Sequence, residues 1–269
     1  MKNIFYESLK YDDPMLPIIF HLDKIKKDMP ILAHWHENIE ILYVINGEIT
    51  VSTEFGSKRA ETDEIVVINS GNLHKINAEN EAAYYCLIID KKMCEEFSLH
   101  IGETHFSEVI NDKKTIKLFK KITAELFDKK IYYKTAVKSD VISLIVHLSR
   151  YHANPNIPMT EYSSNIRVDI VKSAVKFIQD NYNKNISIID IARFLGLSDA
   201  YLCRLFKKIT GCTIIHYINL LRCQKARMLI QSEKYTVSEA AAICGFENLS
   251  YFTKTYKKHM GHVPSHYRN

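Results

Sequence analysis

The chain has 269 residues, 46% of them hydrophobic and 25% charged, and a formal net charge of +5. That length suits two domains, no apolar run approaches the length needed to span a bilayer, and the start Met1–Ser8 holds no apolar signal core. Six cysteines without a CxxC pair fit free thiols in a reducing cytosol, with a redox switch as the alternative, and the absence of a Walker loop or dinucleotide-binding glycine pattern leaves nucleotide-driven mechanisms unsupported.

From Ile18 to Ile89 the chain runs in short β-branched and aromatic bursts, Glu40–Ile45, Ile49–Phe55, Glu64–Ile68 and Tyr84–Ile89, with Asn46-Gly47 and Gly56 as turn signals. Many short strands at this spacing predict a β-barrel or jelly roll. Between Phe106 and Tyr151 the period turns helical: a first helix around Thr115–Phe127, then a second with Val137, Val141, Leu144, Ile145 and Leu148 on one stripe. The stretch from His152 to Pro158 carries two prolines and two asparagines within five residues and reads as a linker. The expected organisation is therefore a domain over residues 1–153, a linker over 154–165 and an all-α domain over 166–269, led by a helix at about Arg167–Asn181.

Within the β-rich domain, His34, His36, Glu40 and Gly47 are spaced H-x-H-x3-E-x6-G, and Gly71-Asn72-Leu73-His74 follows after an intervening hairpin. Alternate residues on a strand share a face, so His34 and His36 are expected to point together, with Glu40 and His74 brought alongside by a cupped barrel. The pattern resembles the two cupin motifs, whose matched positions are metal ligands in many cupin enzymes. Asn69 departs from it, standing where the second motif usually has proline. Three imidazoles and a carboxylate suit Zn, Fe, Mn or Ni. The preferred reading of these residues is nevertheless the lining of an effector pocket that requires no cofactor, or satisfied core positions, and Trp35 reads as barrel packing.

The last hundred residues contain one pattern twice, offset by 49 residues up to the first glycine and 50 after it, so that Ala192 matches Ala241, Gly196 matches Gly245 and Tyr201 matches Tyr251. Each copy reads as a helix-turn-helix. An alanine permits close helix approach, a glycine supplies positive φ at the turn, and Ser198 or Asn248 caps the second helix. Leu202, Leu205 and Phe206, or Phe252 and Tyr256, anchor that helix and leave the other side free. Residues 1–155 hold 20 Lys and Arg against 23 Asp and Glu, net −3, whereas residues 156–269 hold 16 against 8, net +8. A basic excess confined to the duplicated half is the footprint of a phosphate-binding module.

Together with the closing run Gly261-His262-Val263-Pro264-Ser265-His266-Tyr267-Arg268, residues 166–269 resemble the DNA-binding domain of the AraC/XylS transcription regulators. The resemblance implies two helix-turn-helix units joined by a connecting helix, here about Ile214–Gln231, entering successive major grooves of double-stranded DNA. Carried over by position, it implies base contacts from Ala200, Cys203 and Arg204 in the first unit and from Leu249, Ser250, Thr253 and Lys254 in the second. Ser198, Lys207, Lys208, Asn248, Lys257 and Lys258 would contact phosphates. Arg204 is the preferred base reader, since a guanidinium grips guanine bidentately. The expected function is a cytoplasmic regulator, not an enzyme, controlled by a sugar or other small metabolite bound in the cupin-like barrel. By family resemblance it would be an activator that contacts RNA polymerase and dimerises through the Val137–Leu148 stripe, the alternative being that the stripe packs on the barrel. The competing expectations are a metal-dependent cupin enzyme or metal sensor fused to a DNA-binding domain, and a DNA-binding protein indifferent to ligand.

Overall fold

The computed structural model describes residues 13, 15–27, 29–154 and 166–267, and the chain divides into two compact units, Met1–Asn165 and Ile166–Asn269. The expected signal-free start, the linker residues 155–165 and Arg268 of the closing run lie outside the described residues.

The first unit is built from β1 (Ile18–Ile25), β2 (Ile31–His34), β3 (Ile39–Asn46), β4 (Glu48–Thr53), β5 (Gly56–Glu61), β6 (Ile65–Ile68), β7 (His74–Asn77), β8 (Ala82–Ile89) and the short β9 (Val109–Ile110). They form a five-stranded sheet in the order β1-β8-β3-β6-β9 and a four-stranded sheet in the order β2-β7-β4-β5. One core lies between the sheets, where Leu42, Val44, Val66, Ile68 and Tyr84 of the first meet Ile49, Val51, Ala60 and Ile76 of the second. The opposite face of the five-stranded sheet carries Ile39, Ile41, Tyr43, Val67, Leu87 and Ile89 into a second core. A sheet covered on both faces needs apolar residues at nearly every position, which is why β3, β6 and β8 read as continuous apolar runs. Gly47 makes the β3–β4 hairpin possible: its φ is +79°, and a Cβ there would stand 2.7 Å from the Glu81 carbonyl oxygen.

Helices α1 (Lys91–Glu95), α2 (Lys113–Asp128) and α3 (Tyr133–Tyr151) follow. Asp112 caps α2, its carboxylate accepting from the amides of Lys114 and Thr115 at 3.2 and 3.0 Å. The α3 stripe corrects an expectation. Val137, Val141, Leu144, Ile145 and Leu148 are at most 1% exposed within the single chain, packed with Phe119 and Ile122 of α2 against the sheet. The apolar outer face of the sheet demanded a cover, and the stripe supplies it, so these side chains are unavailable to a second copy.

The second unit consists of α4 (Ile166–Asn181), α5 (Ile188–Phe194), α6 (Asp199–Thr210), α7 (Ile214–Gln231), α8 (Val237–Ile243), α9 (Leu249–Met260) and a 3-10 turn at Pro264–Tyr267. The connecting helix α7 has the bounds expected of it and is buried at Tyr217, Ile218, Leu221, Ala226 and Ile230. The two copies share their punctuation. Both α5 and α8 begin on capping boxes, Ser187 with Asp190 and Thr236 with Glu239. Gly196 and Gly245 turn the chain at φ +67° and +82°, and Gly211 and Gly261 close α6 and α9 at +80° and +77°. Ala192 and Ala241 are buried at the helix crossing, as close approach requires.

Candidate metal centre and nucleic-acid interface

Inside the barrel unit His34 ends β2 directly opposite His74, which opens β7. Glu40 lies on β3 among residues buried on both sides. His36 is not on the strand, as its alternation with His34 had suggested: β2 stops at His34, and His36 reaches the cluster from the connection to β3. The amide of Gly71 donates to the His36 carbonyl at 2.9 Å and ties the two motif loops together. Asn69, in place of the usual proline, is buried and holds Phe106 by both ends of its amide. Its Nδ2 donates to the Phe106 carbonyl at 3.0 Å and its Oδ1 accepts the Phe106 amide at 2.7 Å. Trp35 is half-buried.

The four side chains converge. His34, His36, Glu40 and His74 are 1–5% exposed, and one ligand atom from each lies within 4.8 Å of all the others. The histidine Nδ1 atoms sit 2.8, 3.1 and 2.9 Å from the carbonyls of Leu32, Asn38 and Asn72. A carbonyl only accepts, so Nδ1 carries a proton at each contact, which fixes the ring and aims Nε2 inward. Glu40 Oε2 accepts from His36 Nε2 at 3.0 Å and His74 Nε2 at 3.2 Å, while Oε1 accepts from the Cys86 thiol at 3.3 Å. Burial, reinforced by neighbouring His74, pushes His34 down to about 3, leaving a neutral ring. Burial alone would raise the Glu40 carboxyl, but the hydrogen bonds from His36 and His74 outweigh it and hold Glu40 well below the usual carboxylate range. The same competition raises His74, whose hydrogen bond to Glu40 overcomes the opposing effect of burial. Burial and the Glu40 charge keep Cys86 protonated, with its pKa well above the ordinary thiol value. Oriented imidazoles beside an ionised carboxylate form a donor set that fits a divalent transition metal.

In the second unit, α6 and α9 each bury one face and expose the other. Leu202, Leu205 and Phe206 are buried on α6, and Phe252, Tyr256 and Met260 on α9. Ala200, Arg204, Lys207 and Lys208 are exposed on α6, as are Leu249, Ser250, Lys254, Lys257 and Lys258 on α9; Cys203 and Thr253 are half-buried. Ser198 and Asn248 cap these helices, accepting the amides of Tyr201 at 3.3 Å and Tyr251 at 2.9 Å. Their acceptor oxygens are thus committed locally, while the hydroxyl proton of Ser198 and the amide protons of Asn248 are the donors suited to a phosphate. Thr253 donates its hydroxyl to the Leu249 carbonyl at 2.9 Å.

Three contributors escaped the sequence reading. Arg222 of α7 donates to the carbonyls of Tyr182 and Lys184, each at 2.7 Å, and holds the loop after α4 against which Gly245 packs. Asn219 donates to the Tyr251 hydroxyl at 3.1 Å and braces the start of α9. Asn219 and Arg222 are two of several polar residues in α7, beside His216, Gln224, Lys225 and Arg227, so nothing in the sequence singled them out. Cys86 behind Glu40 carried no signal beyond its place in β8.

A double-sheet barrel with an inward histidine cluster, followed by a helical unit with two capped helix-turn-helix pairs, defines a cupin plus paired helix-turn-helix protein. A family pattern described as a cupin domain matches residues 24–89, and one described as a helix-turn-helix domain matches residues 191–269. An HTH-type transcriptional regulator of Staphylococcus aureus (strain COL) is 22% identical over 239 residues, 86% of this chain, though the chain spans only 31% of that relative's length. HTH-type transcriptional regulator YdeC of Bacillus subtilis (strain 168) is 24% identical over 272 residues, covering 94% of this chain and 92% of YdeC. Among solved structures, ToxT from Vibrio cholerae strain SCE256 with bound unsaturated fatty acid shares the fold at TM-score 0.52 and 14% identity, covering 93% of this chain and 94% of ToxT. ToxT from Vibrio cholerae O395 does so at 0.53 and 13%, covering 93% and 96%. The chain thus carries a match to a cupin domain ahead of a match to a helix-turn-helix domain, the order that the resemblance to the AraC/XylS regulators implies. Among the described residues no helix is long and apolar enough to cross a membrane.

Proposed function

We propose that the chain is a sequence-specific, DNA-binding transcription regulator in which a ligand held at the barrel cluster alters how α6 and α9 meet DNA. The observation that carries this reading is the repeated geometry of α6 and α9: each is capped, anchored by one buried face, and left with an exposed polar face ending in paired lysines. Arg204 reads a guanine. Ser250 and Lys254 supply further base contacts, and Thr253, with its hydroxyl turned onto its own helix, offers a methyl group suited to thymine. Lys207, Lys208, Lys257 and Lys258, with Ser198 and Asn248, grip phosphates. Ala200, Cys203 and Leu249 add apolar contact alone, so the two heads read unequally.

At the barrel, His34, His36, Glu40 and His74 would hold a divalent metal, which would supply an open coordination position for a polar metabolite. The ring protons now shared with Glu40 would leave as it binds. A regulatory role is favoured over catalysis because the barrel is followed by a helix-turn-helix domain, as in the transcriptional regulators this chain is similar to. ToxT, bound to an unsaturated fatty acid, suggests an apolar effector instead, but the polar cluster at this position favours the metal-linked reading. The protein acts in the cytoplasm as a homodimer that activates through RNA polymerase, its dimer contact lying outside the buried α3 stripe. Ligand control requires unequal affinity for two arrangements of the protein.

Fluorescence anisotropy against a panel of duplexes tests the reading. Replacing Arg204 with Ala is expected to relax preference at one base position, at a cost of about 1–3 kcal/mol. Lys258→Ala should weaken all sequences alike and reduce the salt slope by about 1. Sequence-blind losses from both would overturn base reading by Arg204, and failure to bind any duplex would overturn the function.

A further inference from the structure

Outside the barrel, a second group of metal-ligating side chains converges where the chain leaves its first unit. Asp112 caps α2, His147 stands in the last turns of α3, and His152 immediately follows that helix. The packing of α2 on α3 sets His147 Nε2 2.7 Å and His152 Nε2 3.5 Å from the same oxygen, Asp112 Oδ2. One ligand atom from each residue lies within 4.8 Å of the other two. The histidine rings are 5.7 Å apart and inclined at 67°, so they approach the carboxylate from different directions. The His147 side chain is 8% exposed, whereas those of His152 and Asp112 are 21% and 33% exposed, which leaves one side open to solvent.

We propose that Asp112, His147 and His152 form a second metal site, for Zn²⁺ or a similar divalent transition ion, that clamps the exit of the barrel unit. Two imidazoles and one carboxylate with an open fourth position are a nitrogen-rich set that Zn²⁺, Co²⁺ or Ni²⁺ accepts; Mg²⁺ and Ca²⁺ call for oxygen ligands. The Asp112 carboxylate is held in place as the cap of α2, its Oδ2 accepting the Thr115 amide at 3.0 Å and the Thr115 hydroxyl at 2.7 Å. The ion would sit among the two Nε2 atoms and Oδ2. Its mechanical consequence follows from the backbone around it. The His152 carbonyl accepts the Ser107 amide at 2.8 Å, Asn154 donates to the His105 carbonyl at 2.8 Å, and Ala153 bridges Phe106. One ion would therefore fasten α2, α3 and the exit segment together, immediately before residues 155–165.

Co²⁺ titration of the full chain, read by visible absorption and bound stoichiometry, tests the site. In a background carrying both His34→Ala and His74→Ala, which leaves the barrel cluster one imidazole and one carboxylate, one Co²⁺ with a tetrahedral absorption band is expected. Adding His152→Ala should remove the band and weaken binding by more than about 100-fold, beyond the 10–100-fold cost of losing an outer-shell partner. Adding His152→Cys instead should keep the ion and introduce a thiolate-to-cobalt charge-transfer band. Should the double variant fail to fold, the wild-type chain serves, with His152→Ala expected to lower the stoichiometry by one ion. Zn²⁺ should also slow exchange of the Ser107 and Asn154 amides in the wild type but not in His152→Ala. Absence of Co²⁺ binding in the double-variant background, or binding indifferent to His152→Ala, would overturn the site, and unslowed exchange with the metal bound would overturn the clamp.

Discussion

His259 shows how a residue's setting decides its behaviour. It lies in the last turn of α9 among lysines, its ring 4.8 Å from that of His216 on α7. Burial, then His216 and Lys258, push it down to about 4, and burial followed by Lys258 also lowers His216. Between the ordinary histidine value of 6.5 and about 4 the unfolded chain therefore binds a proton that the folded chain refuses. This contribution to stability is complete above pH 6.5 and is lost as pH falls through that window. Thermal unfolding of the full chain should show its midpoint dropping over that range, and His259→Gln should flatten the drop. A variant with the wild-type pH dependence would show that the ring is not the cause. Cys223 and Cys244, both buried, are pushed up to about 12 by that burial and stay protonated thiols at neutral pH.

At the level of elements, the two turn glycines look interchangeable in sequence and are not. A Cβ on Gly196 would meet nothing within 4 Å, so Gly196→Ala should cost only the roughly 1–2 kcal/mol of left-handed backbone. On Gly245 it would stand 2.8 Å from the Asn183 carbonyl oxygen, backbone that Arg222 holds from the other side. Urea unfolding should therefore find Gly245→Ala the more destabilising of the two, and equal losses would contradict the close approach. Strands β3, β4, β6 and β8 were legible as short β-branched and aromatic runs, and α2, α3 and the connecting helix by their helical period, whereas β1, β2, β5, β7 and β9 had no such run to mark them. The partner of the α3 stripe was not: an amphipathic pattern states that a face is covered without saying by what. The four members of the barrel cluster could be named from their spacing, yet His36 arrives from a loop, and Asp112, His147 and His152 meet only because two helices pack. The capping boxes at Ser187 and Thr236 follow a spacing legible in the sequence, Ser187 with Asp190 and Thr236 with Glu239 three residues on.

Across the whole molecule, each unit has its own core and its own charge, and the barrel should respond to metal by mass action. Zn²⁺ at 100 times its Kd should stabilise the wild-type chain by about 2.7 kcal/mol. His74→Ala should lose the part of that shift that belongs to the barrel, as differential scanning calorimetry can measure, and a shift unaltered by the substitution would remove the metal from the proposed barrel reading.

The extra residue in the second turn has its own outcome. Gly196 and the cap Ser198 are separated by one residue, Gly245 and the cap Asn248 by two, and the added length buries Phe246 to 4% against Phe252, ring centroids 4.9 Å apart. A palindrome looks the same from either end, but a chain with unlike heads does not. Under the proposed function, a single bound copy would carry a heading along the double helix, and reversing its operator in front of a promoter would present the opposite side of the protein to whatever stands downstream.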